Sequence, residues 1–273
     1  MGVAVHYQHR NEKLSGSDAD LVVGADGVNS VIRNGNAEAF GMTSYALRSK
    51  MAWYGTQAHF PYPILSFRKT PLGYFWAVGY AYTETMGTFV AECDPRTWEN
   101  GFKDLSDDER TAMTEEIFAE ELGGKGVVTN KSLWGSLPVT RVKNWSVGNT
   151  ALIGDALVSA HPSIGSGTRI AMEDSIALCQ ALQVYPNDIP KALGEFRARH
   201  ESGKMKIVAA MEKSLNWYEG IGDRLDVLSP TELVMDYLNR TGRISEERLR
   251  KEYPSFMEKY GKSWRAYTME KVG

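Results

Sequence analysis

The sequence has few cysteines and no long run of apolar or basic residues. Its two cysteines, Cys93 and Cys179, lie far apart, so they predict neither a disulfide framework nor a metal site. No apolar run is long enough to span a membrane, and the first residues, which include His6, His9 and Arg10, contain no signal-peptide core. A net charge of −3 without a basic run argues against a nucleic-acid partner. These absences predict a cytoplasmic globular protein.

Residues 151–182 combine a short strand, a glycine-rich loop and a helix. The apolar residues 151–153 end at Gly154, and Asp155 follows at the carboxyl end of this predicted strand. The loop, residues 162–167, leads into a helix with an apolar stripe formed by Ala177, Leu178, Ala181 and Leu182. Free backbone N–H groups at a helix start suit an anionic or electron-rich ligand. The alternative is an ordinary strand–loop–helix in which Asp155 caps a turn.

Residues 20–33 repeat the same pattern of an apolar strand that ends in an acidic turn. Asp26 lies just beyond the strand end, Gly27 permits a tight turn, and Ser30 and Arg33 follow where a helix begins. Two such endings can present two carboxylates along one edge of a sheet, where ligands of open α/β sheets bind. Carboxylates combined with backbone amides suit a ribityl chain, because its hydroxyl groups both donate and accept hydrogen bonds.

The two stretches resemble the DG and GD motifs of FAD-dependent aromatic hydroxylases built like p-hydroxybenzoate hydroxylase, the group A flavoprotein monooxygenases. Further segments are similar to the branch that acts on salicylyl-CoA and 2-aminobenzoyl-CoA and to the tryptophan hydroxylase of violacein synthesis: residues 53–56 (WYGT), 88–93 (TFVAEC), 121–124 (ELGG) and 161–168 (HPSIGSGT). The resemblance covers nearly the whole chain. It implies a hydroxylase in which NAD(P)H reduces FAD and a flavin hydroperoxide transfers oxygen to an aromatic ring.

The resemblance also implies roles for individual residues. Asp155 would bind the ribityl chain, residues 162–167 would line the flavin ring, and Asp26 and Arg33 would belong to the DG motif. The predicted cofactor-binding set is Asp26, Arg33, Gly154, Asp155, Pro162, Gly165, Ser166, Gly167 and Thr168. His161 either acts on the substrate, as a catalytic residue, or bonds to the backbone.

This chain departs from the common GD pattern at two positions of the motif. It has Val158 in place of a His and Arg169 in place of an Asn. The branch named above varies at those positions too, so we interpret both as subfamily choices. They leave the fine geometry of the flavin loop open.

The unit that binds the ADP half of FAD has no match in this sequence. Residues 3–7 alternate as in a strand, but no strand–GxGxxG–helix unit follows, and the glycines of residues 165–170 and 220–225 match it only in part. Three explanations stand: a split enzyme whose small partner subunit carries the ADP-binding βαβ unit, a truncation, or a decayed relative. The two acidic turns favour the first two. Alternative functions are a non-catalytic binding protein and a flavin oxidoreductase without oxygen transfer.

The middle of the chain predicts a sheet. Residues 64–68, 74–82 and 88–93 are rich in aromatic and β-branched residues, and the second of these runs places Trp76 and Tyr80 on one face. That face either forms the floor of a substrate site or packs as core. An aryl-CoA or an indole-like ring is the expected substrate, and the sequence leaves open which.

The remaining segments predict helices. Capping boxes begin one helix at Ser106, which ends near residue 122, and another at Ser229. Residues 192–218 predict one long helix or two in series, on which the charged residues 197–206 form a solvated face. A last helix starts at Ser245 and stops before Pro254. The predicted fold is α/β with α+β character: an incomplete Rossmann-like FAD-binding domain (residues 1–46 and 141–222), a mixed or antiparallel substrate-domain sheet (47–140) and C-terminal helices (223–273).

Overall fold

The computed structural model describes residues 2–8, 19–129, 132–159 and 161–272, with side chains described through residue 264. His9 and Arg10 lie outside the described residues. The strands are β1 Val22–Gly24, β2 Thr43–Ala46, β3 Lys50–Thr56, β4 Ile64–Thr70, β5 Gly73–Ala81, β6 Gly87–Cys93, β7 Pro138–Arg141, β8 Ser146–Val147 and β9 Thr150–Leu152.

The helices are α1 Val31–Asn34, α2 Ala37–Phe40, α3 Pro95–Glu99, α4 Asp107–Ile117, α5 Ala119–Leu122, α6 Gly167–Val184, α7 Ile189–Glu219, α8 Ile221–Val227, α9 Pro230–Asn239, α10 Glu246–Glu252 and α11 Pro254–Val272. This mixture of helices with parallel and antiparallel sheets confirms the predicted fold class. None of the helices in the described part of the chain is both long enough and apolar enough to cross a membrane.

The chain divides into two compact units, each with its own core. Unit 1 comprises residues 1–45 and 138–212, and its main sheet has the strand order β1-β9-β8. The strands β1 and β9 are parallel, whereas β8 and β9 are antiparallel. A second, two-stranded sheet pairs β2 with β7. The core of this unit includes Ala151, Leu152, Ala177, Leu178, Ala181 and Phe196, so the predicted apolar stripe of α6 is buried.

Unit 2 comprises residues 46–137 and 213–273 and contains an antiparallel sheet with the order β3-β6-β5-β4. Alternate residues of β5 point to opposite faces of this sheet. On one face, Phe75 packs edge-to-face against Phe102 and Trp134. On the other face, Trp76 packs in a cluster with Trp217 and Tyr218. Both faces of the sheet are therefore covered by apolar side chains.

The predicted helix starts are confirmed, and one predicted helix is interrupted. The capping boxes at Ser106 and Ser229 are both formed, with Glu109 and Glu232 as their partners. The first of these helices breaks at Phe118, whose ring is fully buried and lies 5.4 Å from the ring of Phe89 between centroids. The single predicted helix is thus α4 followed by α5, because a core contact decides the backbone at the junction.

Two further expectations about the chain ends were incomplete or wrong. Residues 3–7 do not form a strand, and Val3 and Val5 are exposed without a strand partner among the described residues. The helix that begins after Ser245 ends before Pro254, as predicted, but Pro254 itself begins α11. Proline suits the first turn of a helix, because its missing N–H group would have no partner there.

Candidate cofactor site

The two acidic turns lie at the same edge of one sheet. The parallel pairing places Gly24 opposite Leu152, at the carboxyl ends of β1 and β9. Asp26 follows two residues after Gly24, and Asp155 follows three residues after Leu152. The juxtaposition that the sequence predicted from two distant strand endings is therefore present in the fold.

Asp155 presents a carboxylate that accepts no hydrogen bond from the described residues. It follows Gly154, which has a φ of +58° and whose N–H donates to Asp174 Oδ2 at 2.8 Å. A side chain at position 154 would also approach Ala171 Cβ to 3.2 Å, so glycine suits both the backbone angle and the contact with α6. Partial burial raises the pKa of the Asp155 carboxyl, and the positive charge of Lys204 opposes that rise. The carboxylate is available to a ligand.

Asp26 has a different environment. Its Oδ2 accepts hydrogen bonds from the N–H groups of Val31 at 2.7 Å and Ile32 at 3.3 Å, which begin α1. Ser30 Oγ accepts a further bond from the N–H of Arg33 at 3.0 Å. Asp26 therefore caps its own turn, which is the structural role that the sequence also allowed for Asp155.

Arg33 is buried and connects the two turns. Its Nη2 donates to the carbonyl of Val28 at 2.6 Å, and its Nη1 donates to the carbonyls of Ala156 at 3.1 Å and Asp155 at 3.4 Å. Burial lowers the pKa of Arg33, and the nearby carboxylate of Asp26 opposes that change. The structure therefore gives Arg33 a role that the sequence did not suggest, because nothing local to residue 33 indicates contacts with residues 155–156.

The predicted flavin loop leads into an uncapped helix. Residues 162–164 form a 3₁₀ turn, Gly165 has a φ of +61°, and α6 begins at Gly167. Ser166 provides no side-chain cap, and the first turn of α6, with Thr168, contains no acid, so its leading N–H groups stay available. A side chain added at Gly165 or Gly167 would meet no atom within 4 Å, so the surface over the loop is open. His161, at the start of this loop, is only 3% exposed.

The structure also reveals three site residues that sequence reasoning missed. Residues 197–206 were expected to form a solvated face, and this was wrong for His200 and Lys204. His200 Nε2 lies 2.8 Å from Asp174 Oδ1, and Lys204 Nζ lies 2.7 Å from Asp174 Oδ2. Asp174 and Lys204 are fully buried. Residues 200 and 204 are four positions apart on α7 and therefore share one face of the helix, but only the fold shows that this face meets α6.

The two predicted substrate residues lie in unit 2. Trp76 is fully buried, and its ring centroid lies 6.1 Å from that of Tyr218. Its indole Nε1 has no hydrogen-bond partner among the described residues. Tyr80, on the same face of β5, is half-buried. Trp76 thus forms part of an aromatic core, and contact of either residue with substrate stays a prediction.

The residues of unit 1 fit part of a flavin nucleotide. The free carboxylate of Asp155 suits the hydroxyl groups of a ribityl chain. The open glycine loop and the uncapped start of α6 suit the flat, electron-rich edge of a flavin ring, because helix starts favour negative charge. Fold and site together define a protein of the flavin-binding α/β class.

Comparison with known proteins gives the family. Residues 2–188 match the FAD binding domain family, and the chain belongs to that family. A salicyloyl-CoA 5-hydroxylase from Streptomyces sp is 31% identical over 251 residues, which cover 88% of this chain and 48% of the relative. A protodeoxyviolaceinate monooxygenase from Chromobacterium violaceum is 31% identical over 241 residues, covering 86% of this chain and 64% of the relative. The predicted family and FAD as cofactor are confirmed.

Solved structures agree on the fold. The crystal structure of pqsL, a probable FAD-dependent monooxygenase from Pseudomonas aeruginosa, is similar with a TM-score of 0.56. The two sequences are 23% identical, and the match covers 73% of this chain and 56% of the other. The chain spans about half the length of the Streptomyces relative that it matches.

Proposed function

We propose that this chain supplies the ribityl and flavin-ring part of the FAD site in an aromatic-ring hydroxylase that uses NAD(P)H as reductant. The observation that carries the proposal is the carboxylate of Asp155 at the sheet edge, which accepts no hydrogen bond from the described residues. Its turn packs against α6, whose start is uncapped. Two relatives named as a hydroxylase and a monooxygenase support the reaction class.

The proposed roles in the site differ between the two acidic turns and the start of α6. Asp155 accepts hydrogen bonds from ribityl hydroxyl groups, and the N–H groups of Gly167 and Thr168 face the flavin ring. Asp26 fixes its own turn by accepting hydrogen bonds from the start of α1, and Arg33 ties that turn to residues 155–156. When bound, FAD supplies electron transfer from NAD(P)H to O2 and the insertion of one oxygen atom into the ring, while the other oxygen leaves as water.

The proposed substrate is a small aromatic compound, either an aryl-CoA thioester or an indole-like ring. Salicyloyl-CoA and protodeoxyviolaceinate, named for the two relatives, represent these two classes. Trp76 and Tyr80 are the proposed substrate contacts, and His161 is the proposed catalytic residue.

The remaining part of the site is proposed to lie on a small partner subunit that carries the ADP-binding βαβ unit. Within the described residues β1 is an edge strand, paired only with β9. Its Val23 and the neighbouring Val31 are partly exposed. An unpaired strand edge next to apolar side chains is suited to the addition of another strand.

Turnover with isotopically labelled O2 tests the reaction class. The native protein, with every chain that co-purifies, is supplied with FAD, NADPH and either salicyloyl-CoA or an indole. We expect labelled oxygen in the ring of one product, and none when Asp155→Ala replaces the wild type. Glu38→Ala, which changes an exposed acid of unit 1, is the matched control and should keep activity. Oxidation of NADPH without label in any product would instead support the flavin oxidoreductase.

A further inference from the structure

A buried polar cluster lies beneath the proposed flavin-binding turn. It consists of Asp174 on α6 and of His200 and Lys204 on α7. Lys204 Nζ donates to both carboxylate oxygens of Asp174, at 2.9 and 2.7 Å, and His200 Nε2 lies 2.8 Å from Oδ1. Asp174 and Lys204 are fully buried, so solvent does not screen their interaction.

The backbone N–H of Gly154 completes this cluster. A carboxylate offers about four acceptor sites. Those of Asp174 are used by two contacts to Lys204, one to His200 and one to Gly154, at 2.8 Å. The last of these ties a buried ion pair to the residue that directly precedes Asp155.

The turn is also held from its other side. The guanidinium of Arg33 donates to the carbonyls of Asp155 and Ala156. Gly154 lies in the left-handed region, with a φ of +58°, and a side chain there would make a tight contact of 3.2 Å with Ala171 of α6. The backbone on both sides of Asp155 is therefore fixed, while its carboxylate accepts no hydrogen bond from the described residues.

Lys204 is enclosed by an aromatic ring and interacts with two carboxylates. Its ammonium lies 5.1 Å from the centre of the Trp145 ring, which covers it. Burial lowers the pKa of Lys204, and the charges of Asp174 and Asp155 oppose that change. A buried ion pair is costly to form and adds little stability by itself, so the contact of this pair with Gly154 indicates a role other than stability.

We propose that Asp174 and Lys204 are positioning residues of the flavin site: Asp174 fixes the Gly154 amide so that Asp155 meets the ribityl chain, and Lys204 holds the Asp174 carboxylate in place through its two hydrogen bonds. This inference rests on the proposed function, because it assumes that Asp155 binds the ribityl chain. Both side chains are fully buried beneath the turn, so they act through Gly154 and are not catalytic residues.

Hydrogen exchange of the Gly154 amide tests the positioning without any cofactor. In Asp174→Ala we expect its protection to fall by about tenfold to a hundredfold, as expected for one hydrogen bond to a charged acceptor. In Asp174→Asn the remaining amide oxygen still accepts, so the expected fall is about fivefold. Amides in the middle of α6 should keep their protection, which separates a local effect from global unfolding.

The matched control is Glu219→Gln in unit 2. Glu219 is likewise a carboxylate that accepts backbone N–H groups, those of Arg48 and Ser49, at 2.9 Å each. This variant should leave both the exchange of Gly154 and the affinity for FAD unchanged. In Asp174→Ala the Kd for FAD should rise by about tenfold or more, in step with the lost hydrogen bond.

The outcomes separate this inference from the proposed function. Unchanged protection of Gly154 in Asp174→Ala overturns the inference, as does a local loss of protection with an unchanged Kd for FAD. Should Asp174→Ala not fold, the same two results in Asp174→Asn decide. If Asp155→Ala itself keeps FAD, the proposed function is wrong, and the exchange data still show whether Asp174 holds the turn.

Discussion

Replacement of Arg33 should separate a structural tie from a cofactor contact. Its shortest hydrogen bonds join the carbonyls of Val28 and Ala156, on the two acidic turns. A bond from a charged donor contributes about 1.5–3 kcal/mol, so Arg33→Met should lower the free energy of unfolding by about 3–6 kcal/mol. Arg33→Lys keeps one charged donor and should lose roughly half as much. FAD affinity should fall in parallel, because Asp155 loses its backbone support.

Urea denaturation followed at Trp145 measures this loss. Trp145 is the only one of the seven tryptophans within residues 1–45 and 138–212, so its indole NMR signal reports on unit 1. Arg199→Met, which removes an exposed arginine paired with Glu195, is the control and should change stability by less than about 1 kcal/mol. If Arg33→Lys weakens FAD binding strongly and leaves the urea midpoint unchanged, Arg33 contacts the cofactor itself and is not a structural tie.

Three further outcomes are expected. A thiol reagent should modify only Cys179 in the native protein, because burial raises the pKa of Cys93; two reactive thiols before unfolding would contradict this. Trp76→Ala should cost about 3–5 kcal/mol in urea denaturation, whereas Tyr80→Phe should change stability by less than about 0.5 kcal/mol. Because burial raises the pKa of Asp155, its carboxylate is protonated at a higher pH than that of an ordinary aspartate. FAD affinity should therefore begin to decline at that higher pH as the solution is acidified. Asp155→Asn should remove this decline.

The sequence predicted those features that depend on local signals. Apolar runs that end in glycine located β1 and β9, and the acids that follow them located the two turns. Capping boxes located the starts of α4 and α9 because their hydrogen bonds join residues only three positions apart.

Features that depend on tertiary contacts escaped prediction. Residues 197–206 are mostly charged or polar, so their pattern does not show that Lys204 is buried against Asp174. The connection from Arg33 to residues 155–156 spans more than a hundred residues and has no local signature. The break at Phe118 depends on a ring contact with Phe89, which lies on another element.

The FAD content of the native protein shows whether Asp155 holds the ribityl chain. The wild type and Asp155→Ala are purified in the same way with everything that binds to them, and the visible spectrum gives FAD per chain. The proposed role of Asp155 predicts a bound flavin spectrum in the wild type and a loss of most of that flavin in Asp155→Ala, with Glu38→Ala unaffected. Equal FAD content in the wild type and Asp155→Ala would contradict it.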